Sequence, residues 1–220
     1  MPEGPSAEFV AAMEDVLEMY HRPYDPQRPM VCMDECSKQL IGEVRTPLPP
    51  KPGQIAKYDS EYERLGTANV FMAVEPLGGK RKLRVTDRRT RVDWAQFIRY
   101  LLMTVYPEVA VIVLVMDNLN THSIASLYEA FEPELARALA ARLEIHYTPK
   151  HGSWLNMAET ELSILSRQCL DRRIESQEIM VQETTTWEQE RNELGAGIDW
   201  QFTTADARIK LKRLYPSFHA

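Results

Sequence analysis

Val109-Ala-Val-Ile-Val-Leu-Val-Met116, closed by Asp117, decides the fold. Eight apolar residues in a row, most of them β-branched, suit a central strand covered on both faces. The run is far short of the ~20 residues that a membrane helix needs. Ahead of it, Thr90-Arg-Val-Asp93 has the form of a capping box, with Asp where Glu or Gln is commoner. The helix it opens carries Trp94, Phe97, Ile98, Leu101 and Val105 at helical spacing and stops at Pro107. Behind the run, helical patterns fill 123–131 and 133–142, with Ser123 available as an N-cap. Leu143, Ile145 and Tyr147 then alternate with polar residues, as in a short strand.

Toward the N-terminus the period shortens. Residues 30–40 read as a strand whose alternation puts Cys32, Asp34 and Cys36 on one face and Glu35 on the other. Strand patterns at 70–74 and 82–85 flank Leu77-Gly-Gly79, a hairpin signal. Residues 6–20 read as an amphipathic helix with Phe9, Met13, Leu17 and Tyr20 near one face. Pro23, Pro26 and Pro29 impose an extended linker, and Thr46-Pro-Leu-Pro-Pro-Lys-Pro-Gly53 requires a loop. Three strands, a helix, a strand, helix, a strand and further helices predict an α/β fold. Its form is an RNase H-like mixed five-stranded sheet flanked by helices. The chain divides into a helix and Pro-rich linker over 1–29 and a domain over 30–220.

A length of 220 residues is enough for one sizeable core, and 26% charged residues is ordinary for a globular domain. The beginning Met1-Pro-Glu-Gly-Pro lacks the apolar core of a secretion signal. Three cysteines, Cys32, Cys36 and Cys169, make neither a disulfide framework nor a metal knuckle, so a cytoplasmic location is expected. The net charge of −6 weighs against nucleic-acid binding by the chain as a whole, but the charge is unevenly spread. Residues 1–37 hold eight acids against two bases, whereas 38–91 hold twelve bases against six acids. The basic part includes Lys80-Arg-Lys-Leu-Arg84 and Arg88-Arg-Thr-Arg91, which suit a phosphate-tracking face as well as a solvated surface.

Three acids occupy distinctive settings. Asp34 lies within an apolar strand, Asp117 ends the central one, and Glu159 follows Trp154-Leu-Asn-Met-Ala at the start of a helical pattern. Carboxylates at the edge of a buried sheet are costly unless paired. A hard divalent cation suits them, since it takes oxygen ligands and keeps places for water and phosphate. Glu161 competes with Glu159. The apolar stripe Leu155, Ala158, Leu162, Leu165 and Cys169 has these two glutamates at opposite edges, so only one of them faces a site. Asn156 as N-cap puts Glu159 at the capping-box position, and on spacing alone a cap is the simpler reading. Asp34 as a strand acid paired with Arg or Lys, and Asp117 as a turn residue, are the corresponding plain readings. Lys150, His151 and Ser153 precede the same helix, where amide groups favour phosphate. Trp94 and Trp154 read as core.

The segments Val31-Cys-Met-Asp-Glu35, Met116-Asp-Asn-Leu-Asn-Thr-His122 and Tyr147-Thr-Pro-Lys-His-Gly-Ser-Trp-Leu-Asn-Met-Ala-Glu159 resemble the three catalytic blocks of a DDE transposase. The likeness is to the IS630 branch of the IS630/Tc1/mariner superfamily and extends to Trp200-Gln-Phe-Thr-Thr and the closing Ala207-Arg-Ile-Lys-Leu-Lys-Arg-Leu-Tyr215. The second and third acids lie 42 positions apart, longer than in the Tc1 and mariner branches, and extra helix within 123–142 absorbs the difference. The resemblance implies that Asp34, Asp117 and Glu159 hold two Mg²⁺ or Mn²⁺ ions for cutting transposon ends and joining them to target DNA. It implies DNA and a second copy of the chain as partners. It also makes Asn118, His122, Lys150, His151 and Ser153 candidate phosphate or DNA contacts. The loop 46–62, with Lys51 and Lys57, is a candidate for linking subunits. Two alternatives stay open: a silent, truncated remnant that binds DNA or an intact transposase, and an RNase H-like nuclease.

Overall fold

A computed structural model describes residues 1–45, 52–53 and 60–217. Most of the Pro-rich loop, Lys51 and Lys57 included, lies outside the described residues. Among the described residues five strands are present: β1 (Met30–Glu43), β2 (Tyr62–Glu75), β3 (Lys80–Thr86), β4 (Ile112–Met116) and β5 (Leu143–Tyr147). They form one sheet in the order β3-β2-β1-β4-β5. The β1–β2 and β2–β3 pairs are antiparallel, whereas β1–β4 and β4–β5 are parallel. This is the mixed five-stranded RNase H-like sheet that the element order predicts.

Seven α-helices among the described residues flank it: α1 (Ala7–Tyr20), α2 (Arg91–Tyr100), α3 (Ile124–Ala130), α4 (Pro133–Ala140), α5 (Met157–Leu165), α6 (Gln177–Glu193) and α7 (Thr204–Lys210). Strand alternation sorts the apolar side chains into two cores. Cys32, Val70, Met72, Val74 and Val115 face α1, α5 and α6, with Met13, Leu17, Leu162 and Leu165 packed on them. Val31, Met33, Phe71, Leu114 and Met116 face the other way, toward Trp94, Phe97, Ile98, Leu127 and Leu139 on α2, α3 and α4. Each such large side chain contributes about 1.5–3 kcal/mol on full burial. The N-terminal helix buries Phe9, Met13, Leu17 and Tyr20 in the first core and is thus an integral layer of the fold.

Local signals account for the element ends. Thr90 and Asp93 make the reciprocal capping box expected for α2. The last part of that helix, Leu101–Val105, widens into a π turn before Pro107. The apolar run 109–116 enters the sheet only at Ile112. Arg142 accounts for the difference, because its guanidinium donates to the carbonyls of Leu102, Tyr106 and Val109 and holds the preceding residues outside the ladder. Ser123 sits at the N-cap of α3, its hydroxyl 3.3 Å from that of Ser126 and capping no backbone amide. No helix among the described residues is long and apolar enough to cross a membrane.

Candidate active site

Two strands set the height of the first two acids. Cys32 of β1 lies opposite Val115 of β4, and the same parallel register continued by two residues brings Asp34 level with Asp117. Alternation puts both on the Val115 side of the sheet, the side on which α5 packs. Asn156 joins that helix to the strand. Its Oδ1 accepts from the Ala158 amide at 3.1 Å, as an N-cap should, while Nδ2 donates to the Met33 carbonyl at 2.9 Å and to Asp34 Oδ2 at 3.3 Å. The α5 N-terminus is thereby pinned to the middle of β1. Glu159, one turn on, opens into the same cleft as Asp34 and Asp117, a space of about 420 Å³ also bordered by Ser153, Asn156 and Ser163.

Two of the carboxylates of this cleft have no compensating charge. Neither Asp34 nor Glu159 forms an ion pair among the described residues. Asp34 accepts the Glu35 amide at 2.8 Å. Burial, aided by the charges of Glu35, Asp117 and Glu159, raises the Asp34 carboxyl from its ordinary value to about 7 despite that bond. The three acids border one cleft without crowding together. Among the described residues, no group of three His, Cys, Asp or Glu side chains is gathered closely enough to hold an ion as it stands.

Glu161 has the opposite surroundings. It is 1% exposed and lies 2.9 Å from both Arg81 and Arg191. Burial alone would raise its pKa, but hydrogen bonds from the two guanidinium groups outweigh burial and hold it below the usual carboxylate range. Of the two glutamates, Glu159 borders the cleft and Glu161 is a structural ion.

A buried pair lies beneath the cleft on the other face of the sheet. His122, 1% exposed, places Nδ1 2.5 Å from Asp117 Oδ1 and Nε2 3.0 Å from Glu35 Oε2. The second contact is off the hydrogen-bond direction, so Glu35 Oε2 and His122 Nε2 face each other as charges. Burial opposes charge on the imidazole, yet the two carboxylates push its pKa up to about 9. The Trp94 ring stacks on it with centroids 6.1 Å apart. Buried in this way, His122 cannot be the direct DNA or phosphate contact that the sequence suggested; it grips Asp117 instead. Strand alternation put Glu35 on the face opposite Asp34, but its contact with His122 was not foreseen from the sequence.

The remaining candidates divide between two places. Ser153 borders the acidic cleft. Asn118, Lys150 and His151 border a neighbouring one of about 440 Å³, whose far wall is the start of α1 with Ser6 and Phe9. The connecting turn is conformationally demanding. His151 has φ 65°, and a Cβ on Gly152 would lie 2.6 Å from the Pro149 ring. Trp154 departs from expectation, being 38% exposed and stacked on Trp200 at 6.4 Å, whereas Trp94 is fully buried.

Residues 29–181, well over half of the chain, match the family of DDE superfamily endonucleases. The chain belongs to that family. No curated protein matches it. Solved structures do: the Mos1 mariner paired end complex with Mn is 17% identical with a TM-score of 0.56, over 89% of this chain and 60% of that one. The Mos1 strand transfer complex is 15% identical with a TM-score of 0.57, over 86% and 56%. The Mos1 transposase paired-end complex with left transposon end is 16% identical with a TM-score of 0.52, over 89% and 60%. The likeness establishes a shared fold, and the DDE endonuclease chain described here spans less than two thirds of those chains.

Proposed function

We propose that the chain is the catalytic part of a DNA transposase of the IS630 branch, cutting strands at transposon ends and joining them to target DNA. The observation that carries this reading is the delivery of Asp34, Asp117 and Glu159, from β1, the end of β4 and α5, to one cleft. A DDE endonuclease needs three such acids. Cytoplasmic location is part of the proposal, supported by three free cysteines. Assembly as a homodimer is another part, supported by the paired-end form of the Mos1 complexes.

The donor set fits two Mg²⁺ or Mn²⁺ ions. All three side chains offer hard oxygen atoms, and Asp34 is raised to about 7 by burial and like charge, a penalty that bound cations would reverse. When bound, such ions would activate the attacking hydroxyl and stabilise the leaving oxygen of an in-line displacement. The chain's own residues do the positioning. Asp34, held by Asn156 and level with Asp117, would hold the ions together with Asp117 and Glu159. His122 and Glu35 fix the Asp117 carboxylate from below. Ser153, together with Asn118, Lys150 and His151 in the adjoining cleft, offers contacts to DNA on either side of the reacting phosphate.

The test is nicking of supercoiled plasmid by the purified chain in Mg²⁺ or Mn²⁺, beside Asp34→Ala, Asp117→Ala and Glu159→Ala. Activity in the parent and none in the three folded variants is expected, with joining of a transposon end to target as the second readout. Cleavage without any joining would favour an RNase H-like nuclease. Retention of full activity in Glu159→Ala would overturn the assignment of the third acid.

A further inference from the structure

The acidic cleft does not end at Ser166. Through Cys36 and Ser166 it opens into a second cleft of about 360 Å³, whose other borders include Ser37, Lys38, Arg167 and Asp171. The two are therefore parts of one groove. The acidic part holds no lysine or arginine along its border, and the second part holds two such residues beside two hydroxyls and a single acid.

The second part is formed by an irregularity in the chain. Directly after α5, residues Ser166–Leu170 widen into a π turn. Such turns interrupt helical packing and recur where a side chain must be aimed at a site. This one exposes Ser166 and Arg167 at the groove while Cys169 and Leu170 stay in the core. The Arg167 guanidinium makes no ion pair or hydrogen bond among the described residues. Lys38, facing it from β1, gives one N–H to the Leu170 carbonyl at 2.5 Å, leaving two further donors. Ser37 gives its O–H to Asn69 Oδ1 at 2.6 Å, which leaves a planar guanidinium, an ammonium and the Ser166 hydroxyl as a donor set for a phosphate diester.

We propose that this second cleft binds a phosphodiester of the same DNA strand, next to the one that the carboxylates act on, with Arg167 and Lys38 as its cations. The inference rests on the reading of the chain as a nuclease acting on DNA. The groove then gives a strand two electrostatic environments in succession: carboxylates that need bound cations, and cations built into the protein. It also supplies a local answer to the net charge of −6, because the strand meets a basic stretch where it leaves the acids.

The experiment is equilibrium binding of a short fluorescent duplex to the whole chain in Ca²⁺ over a range of salt, with nicking of the same duplex in Mn²⁺. Arg167→Ala is expected to reduce the slope of log K against log salt by about one, the signature of one lost phosphate contact. Arg167→Lys should restore most of it. A single neutral methylphosphonate linkage beside the cleavage point should weaken the parent by the same factor as Arg167→Ala and weaken that variant no further. Arg167 is exposed, so an unchanged melting temperature separates these effects from misfolding. An unchanged slope in Arg167→Ala, with binding and nicking by the parent intact, would overturn the subsite and leave the nuclease reading standing. A parent that neither binds nor cuts DNA in any divalent metal would overturn both.

Discussion

Glu159 and Glu161 sit two residues apart on one helix and belong to different physical regimes. Glu161 is enclosed by Arg81 and Arg191, with Arg81 itself 0% exposed. Glu159 opens into a cleft whose other charged groups are carboxylates. A buried ion that is fully paired tells of architecture: it fastens α5 to β3 and α6. An acid set among acids and without a basic partner leaves its oxygen atoms open to a bound cation, and that points to chemistry. Burial alone would have picked the wrong residue. What separates the two is compensation.

The sharpest break in this comparison is to remove each acid in turn. Glu159→Ala should leave the melting temperature near that of the parent and reduce metal-dependent nicking to background. Glu161→Ala should do the reverse. It leaves Arg81 buried without its partner, at a cost of about 3–5 kcal/mol, while the protein that still folds keeps its metal dependence. Thermal melts and single-turnover nicking on the same preparations distinguish these outcomes, and equal loss of stability in both variants would undo the distinction.

A smaller effect is expected one step back from the cleft. Glu35→Gln removes the charge that faces His122 and thereby loosens the hold on Asp117. Changes to residues that orient metal ligands typically cost about 10–100-fold in affinity or activity. The loss should appear mainly as a raised Mn²⁺ requirement, read by titrating nicking against Mn²⁺, with the strand-binding affinity in Ca²⁺ little changed.

The gentlest test uses pH. Asp34 stands at about 7 in the fold against about 3.9 in an unfolded chain. Its contribution to stability is therefore fully present below about pH 4 and is lost as pH rises through about 7. Asp34→Asn should match the parent in acid and melt higher than it above neutrality, in metal-free buffer. Glu161 is held low, so its contribution is present above about pH 4.3, its unfolded value, and is lost as pH falls through the folded one. The deficit of Glu161→Gln should shrink on acidification. Deficits that follow pH in the same direction for both residues would contradict the environments described.

Much of this molecule is legible in its sequence, and the gaps share a cause. The capping box at Thr90, the Gly78-Gly79 hairpin and the alternation that aims Asp34 are local, and local spacing carries them. The levelling of Asp34 with Asp117 is implied once the strand order is known. The contact of Glu35 with His122 spans 87 positions and depends on the Trp94 ring that closes over it, so no short-range pattern announces it. Trp154 was read as core from its residue type, yet Trp200 and Phe202 give it a partner at the surface. The late start of β4 follows from Arg142, thirty-three residues beyond the Val109 carbonyl that it captures.

Arg81 has one more consequence. Besides Glu161, its side chain reaches the Ala196 carbonyl, and its backbone exchanges two hydrogen bonds with the Asn192 side chain at 2.7 and 2.9 Å. Those partners, like Arg191, lie beyond residue 181, where the stretch shared with the family stops, inside α6. The part that carries every acid thus draws part of its packing from residues past that border. A gene trimmed at the family border would encode all three acids, but the buried Arg81–Glu161 pair would have lost Arg191, Asn192 and Ala196.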